Sequence, residues 1–150
     1  MRRKWVKIAL FLVVAILGAA QFFPPQRTNP PSDPSASFEA LAKPSPELAA
    51  IVERACRDCH SNRTVWPWYS RVAPVSWLVA GDVREGRENL NFSEWNLLTP
   101  EMSRSRMRKV CEEVKSGDMP PWSYTLVHSR AKLSGADVQA LCTPAATPGP

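Results

Sequence analysis

Hydrophobic residues are concentrated at the front of the chain and then spread at helical spacing. From Ile8 to Phe23 the sequence is apolar except for Gly18 and Gln21, behind a basic start of Arg2, Arg3, Lys4 and Lys7. Trp5 to Phe23 is 19 residues, about 28 Å as a helix, which spans a bilayer core when Lys7 snorkels. A cleaved secretory signal is the alternative. No clean Ala-x-Ala precedes a polar start, and Phe22 and Phe23 fall where an interfacial aromatic belt would lie, so a retained anchor over residues 1–23 is the expectation. The positive-inside rule then leaves the N-terminus cytoplasmic and everything after residue 24 on the far side.

From Pro24 to Pro46 there are seven prolines in 23 residues. Such a stretch is neither regular helix nor central strand, and residues 24–45 are expected to form a semi-rigid, partly polyproline spacer whose Phe38 and Leu41 can dock on the domain. Helical periodicity takes over beyond it. Ser45 is placed to cap "PELAAIVERAC", with Leu48, Ile51, Val52 and Ala55 facing a core. A second helix starts at Pro74 with Val75, Leu78, Val79 and Val83 as its apolar set. Ser93 is placed to cap a short turn through Trp95 and Leu98. Thr99 followed by Pro100 opens a helix whose stripe is Met107, Val110, Cys111 and Val114, ending at Gly117. Ser134 and Asp137 have capping-box spacing ahead of "VQALC". No segment alternates as a strand and none repeats. An all-α domain over 46–142 with a frayed Pro-rich tail at 143–150 is the expected organisation.

The net charge of +5 is local. Setting aside the four basic residues of the first seven leaves 15 Lys and Arg against 14 Asp and Glu. Nothing in that balance points to nucleic acid.

One of only two histidines follows a cysteine pair in "RACRDCHSNR". Cys56, Cys59 and His60 have the spacing of a covalent c-type haem attachment site. Residues three apart share a helix face, so both sulfurs reach one edge of one haem, and His60 comes under its iron. The second imidazole nitrogen then needs an acceptor, for which the carbonyls of Pro67 or Pro74 are candidates. A thioredoxin-like dithiol also uses Cys-x-x-Cys but needs a βαβ setting, absent from residues 45–75. A zinc site needs a second ligand cluster, whereas Cys111, Cys142 and His128 stand singly. Outside the cytoplasm, the remaining pair Cys111 and Cys142 suits a disulfide closing 30 intervening residues, the alternative being two buried thiols.

The other face of the iron decides the chemistry. Met119 in "SGDMPPWSY" follows a helix end and precedes two prolines; a thioether there raises the potential and favours electron transfer. His128 is the rival, and Met102, Met107 or an open site complete the alternatives. Trp66, Trp68, Tyr69 and Trp122 are candidates to pack on the porphyrin, and Arg63 and Arg71 to pair with its propionates, against the plainer readings of core aromatics and solvated charges.

The stretch from "CRDCHSNRTVWPWYSRVAPVSWLVAGDVREGRENLNFSEW" to "VKSGDMPPWSYTLVHSRAKLS", with the "QFFPPQRTNPP" lead-in, resembles the haem-binding domain family of bacterial membrane-anchored, c-type cytochrome-like proteins over about residues 16–142. The resemblance implies one haem c in the periplasm, attached at Cys56, Cys59 and His60. Many members carry His where this chain has Asp82, which leaves Met119 and His128 as the candidate second ligands. The order of elements is also similar to class I cytochromes c: attachment helix, Met-Pro loop, closing helix. The fold expected is thus a small class I cytochrome c-like helical domain around one haem behind a transmembrane helix in the bacterial inner membrane. The function expected is single-electron transfer with a membrane complex or periplasmic redox protein, without enzymatic bond-making and without a small-molecule substrate. Two alternatives stand beside it: a haem sensor or peroxidase-like protein with an open sixth site, and a haem-containing structural subunit of a larger membrane complex.

Overall fold

The computed structural model describes residues 2–143, and over these it is all-helical, without strands. The expected fraying at 143–150 falls, from residue 144 on, outside the described residues. Helix α1 (Arg2–Ala20) buries none of its side chains. It stops three residues short of Phe23 because Gln21 turns back. The Gln21 amide donates to Leu17 O and Ala73 O and accepts from the Ala73 N–H, which fixes the end of α1 to the domain. No helix among the described residues is long and apolar enough to cross a membrane. The expected span loses its far end, since Phe22 and Phe23 lie beyond the helix, while its near end extends back to Arg2 and carries the basic residues through Lys7. The charge-free part, Ile8 to Ala20, is about 20 Å long.

The Pro-rich segment lies along the domain. Arg27 donates to Ser70 O, the Asn29 amide to Thr64 O, and Trp66 Nε1 to Asn29 Oδ1. Arg87 is the principal clasp, its guanidinium donating to Ser61 O, Thr28 O, Asn29 Oδ1 and Thr64 Oγ1. Within this segment α2 (Phe38–Ala42), capped by Ser37, drives Phe38 into the core, while Leu41 stays exposed. Phe38 meets Phe92 and Trp95 edge-on, and Phe92 stacks on Trp95.

Helix α3 (Pro46–Ala55) forms as its pattern dictates: Ser45 Oγ accepts from Leu48 N, and Leu48, Ile51, Val52 and Ala55 are buried. It passes through Cys56 into the one-turn α4 (Arg57–His60). Helix α5 (Val75–Asn89) departs from its pattern. Its buried face is Ser76, Val83 and Gly86, while Val75, Trp77 and Leu78 are exposed. Gly86 faces inward because α5 lies against α4 at close range there, leaving no room for a side chain. The 3-10 turn Phe92–Leu97 is capped by Asn91 in place of Ser93, whose hydroxyl is buried and accepts from Asn62 N.

Helix α6 (Pro100–Ser116), capped by Thr99, ends where Gly117 takes φ 82°, and α7 (Trp122–Val127) follows. Helix α8 (Gly135–Cys142) packs on α6 and α3. Cys111 of α6 and Cys142 of α8 are joined by a disulfide. The Ser134–Asp137 capping box is complete, and Asp137 also binds Arg54 of α3 at 2.6 Å. These contacts, the Arg54 hydrogen bond foremost, hold the Asp137 carboxyl down at about 2. A depressed folded-state value stabilises above the unfolded carboxylate range and is lost as pH falls through the folded value. Asp137→Ala is therefore expected to cost about 1 kcal/mol at neutral pH, in line with a lost cap. Denaturant titrations should show that deficit narrowing between about pH 4 and pH 2.

Candidate functional site

The α3–α4 junction, the middle of α5, the inner face of α6 and the loop before α7 enclose a cavity of about 370 Å³, within the roughly 300–1,000 Å³ usual for ligand pockets. Cys56, Cys59 and His60 form one wall, and Met119 lies on the rim of the same space. The sequence motif and its candidate second ligand thus share one chamber.

His60 is set by the backbone of α5. Its Nδ1 lies 2.9 Å from Gly86 O and 3.1 Å from Leu90 O, both acceptors, so Nδ1 carries the proton and donates. Nε2 is left with its lone pair free. The acceptors are these two and not Pro67 or Pro74, because α5 runs beside α4 and its final turn presents carbonyls there. Burial lowers the His60 pKa and keeps the ring neutral, the form that ligates a metal. The approach is as close as a helix allows: a Cβ at Gly86 would stand 2.5 Å from Cys59 O.

Cys56 and Cys59 are free thiols. Burial pushes Cys56 up to about 12, with Cys59 adding to it. Cys59 is also pushed up to about 12, by burial first and then by Asp82 and Asp58. A redox dithiol requires a lowered thiolate pKa, so this environment is the reverse of a thioredoxin-like one. With Cys111 and Cys142 bonded to each other, the zinc reading loses its further ligands.

The sequence model of the haem-binding domain family matches residues 15–146. The chain belongs to the haem-binding domain family. No curated protein and no solved structure matches it. The cavity fits that assignment. Two unbonded sulfurs and one unsatisfied imidazole nitrogen converge on a space walled by Leu90, Phe92, Val110, Val114 and Leu133, the apolar-with-few-polar composition of a cofactor site.

The haem-binding domain brings some of the expected residues to its cavity and leaves others away. Met119 is held by the turn that ends α6, its N–H donating to Glu113 O, and is 38% exposed. His128 is not on the cavity wall. It stacks on Tyr124 at 4.1 Å between ring centroids, and Tyr124 has the place facing the cavity. The Tyr124 hydroxyl donates to Asp58 Oδ2 at 2.9 Å, and burial followed by the Asp58 charge raises its pKa.

Trp66, Trp68, Tyr69 and Trp122 all lie off the wall. Trp66 is tied to Asn29, Tyr69 meets the ring of His128, and Trp68 and Trp122 are exposed. Trp68 and Tyr69 belong to the turn Trp68–Arg71, which packs against α5. Trp122 opens α7 facing solvent. Arg63 pairs with Glu39 and Glu53, at 3.4 and 3.5 Å, and Arg71 is exposed. The basic residues at the cavity are Arg106 and Lys109 of α6, facing Asp82 and Glu85 of α5. Their signal was present in the sequence. Arg106, Lys109, Val110, Glu113 and Val114 fall at spacings of three and four, one helix face that pairs an apolar stripe with two cations.

Proposed function

We propose that this haem-binding domain is a membrane-tethered, monohaem c-type cytochrome that carries single electrons to or from a membrane or periplasmic redox partner. The observation that carries the reading is the convergence of Cys56, Cys59, His60 and Met119 on one largely apolar cavity, with the His60 Nδ1 proton taken up by Gly86 O and Leu90 O so that Nε2 keeps its lone pair. A bound haem supplies a one-electron iron couple. The chain supplies the rest. Cys56 and Cys59 hold the porphyrin edge through thioethers, His60 presents Nε2 to the metal, and the Met119 thioether fills the remaining position and raises the potential. Arg106 and Lys109 meet the propionates. Val110, Val114 and Phe92 exclude water.

The order of elements supports a class I cytochrome c-like arrangement. The attachment helix α3 meets the closing helix α8, and the Arg54–Asp137 pair joins them. In this reading α1 anchors the chain at the bacterial inner membrane with the domain on the periplasmic side, and no bond-making catalysis is required of the protein.

The partial exposure of Met119 favours one competing reading, a sensor or peroxidase-like protein whose sixth site opens. Visible spectra and carbon monoxide binding separate the two. In the reduced wild type, Met119 is expected to resist carbon monoxide. Met119→Ala should bind it readily and lower the potential, while His128→Ala leaves both unchanged. Ready binding by the wild type would support the open-site reading, and a spectral change confined to His128→Ala would overturn the ligand assignment.

A further inference from the structure

The first turn of α5 exposes part of the apolar set its sequence pattern predicts. Leu78 is 67% exposed, with Val75 and Trp77 beside it, while Ser76 is 2% exposed. Val72, just before the helix, is exposed as well, and the patch adjoins the end of α1. Trp77 Nε1 donates to Phe23 O, and Gln21 clamps Ala73 in both directions, so exposed Phe22 and Phe23 are fixed next to it. The apolar surface of α1 therefore continues onto the domain through hydrogen-bonded ties. The charged side chains nearest the patch are of one sign: residues 21–32 and 64–81 contain no Asp or Glu, only Arg27 and Arg71, and the first acid on α5 is Asp82, one turn beyond Leu78.

From these observations we infer that Val72, Val75, Trp77 and Leu78, together with Phe22 and Phe23, form a second membrane contact that seats the domain on the surface of an anionic bilayer. The inference rests on the reading of α1 as a membrane anchor and deepens it. Aromatic and aliphatic side chains occupy the headgroup–acyl boundary, and basic residues meet anionic headgroups. Arg27 and Arg71 beside the patch suit anionic headgroups better than a second copy of this chain, which would set these like charges against each other. The consequence is orientation. Helix α5 runs from this contact to Gly86, 11 residues further on, about 16 Å along its axis. The cavity is then held at a fixed height above the membrane, within reach of a membrane-embedded redox partner, and does not swing on a loose spacer.

The full-length haem-loaded protein in nanodiscs of phosphatidylethanolamine and phosphatidylglycerol, doped with a diazirine-bearing phosphatidylcholine, tests this by photolabelling and peptide mass mapping. Lipid adducts are expected on residues 72–78 as well as on 1–23. The double variant Val75→Asp, Leu78→Asp should lose the adducts at 72–78 while keeping those on 1–23 and an unchanged visible spectrum. Adducts on 1–23 alone in the wild type would overturn the second contact and leave the anchor standing, as would adducts at 72–78 that survive in the double variant. Adducts on neither segment would remove both.

Discussion

Gly86→Ala is expected to lower stability by about 1–3 kcal/mol, the cost of overpacking a close contact, and to disturb the haem spectrum at the same time. The added Cβ would lie 2.5 Å from Cys59 O, a backbone atom that cannot rotate away. Helices α4 and α5 must therefore separate. Gly86 O is also an acceptor for His60 Nδ1 and for Leu90 N, so separation loosens the imidazole together with the helix packing. Gly81 on the same helix provides the control: a Cβ there meets nothing within 4 Å. Gly81→Ala should leave the spectrum unchanged and raise stability by up to about 1 kcal/mol through helix propensity. Thermal melts and visible spectra of both variants check the pair. Equal effects would show that the α4–α5 contact does not set His60.

Gly86 also shows where sequence reading reached its limit. Inside a helical pattern it reads only as a weak helix former; its role comes from the approach of α4, a tertiary fact with no local signature. Helix α3 was legible down to its buried positions because one cap, one proline and one amphipathic stripe agree. That Cys56, Cys59 and His60 share one wall was legible because residues three and four apart lie on the same side of a helical turn. Val75 and Leu78 belong to the apolar set of α5 yet are exposed, because periodicity reports that a face is apolar without saying what covers it. The Pro-rich segment was read as a spacer on composition. It is tied to the domain through Arg87 and Asn29, polar residues whose partners in these contacts lie 35 to 59 positions away. For Trp66, Trp68 and Trp122 the sequence leaves haem contact and ordinary packing open, since size alone does not say what a ring packs on; Phe92 and Leu90 line the cavity instead.

Removing the disulfide should have the largest effect on stability. The Cys111→Ala, Cys142→Ala double variant is expected to lose about 3–4 kcal/mol, from the loop-closure entropy of a 31-residue separation. The closed loop contains Met119, Pro120, Tyr124 and the capping box of α8. Losing it frees the segment that carries the proposed second ligand as well as the contact of α8 with α6 and α3. The denaturant midpoint should fall accordingly, and reductant should bring the wild type down to the level of the variant. A variant as stable as the oxidised wild type would mean that α6 and α8 are held by packing alone.

An electron carrier of this design requires the haem to be covalently bound through Cys56 and Cys59. Chain produced with the cytochrome c maturation machinery, stripped with acidified solvent and weighed intact, answers this directly. The wild type is predicted to weigh more than its polypeptide by one haem, and the Cys56→Ala, Cys59→Ala double variant by nothing. A wild-type mass equal to the bare polypeptide would contradict the account.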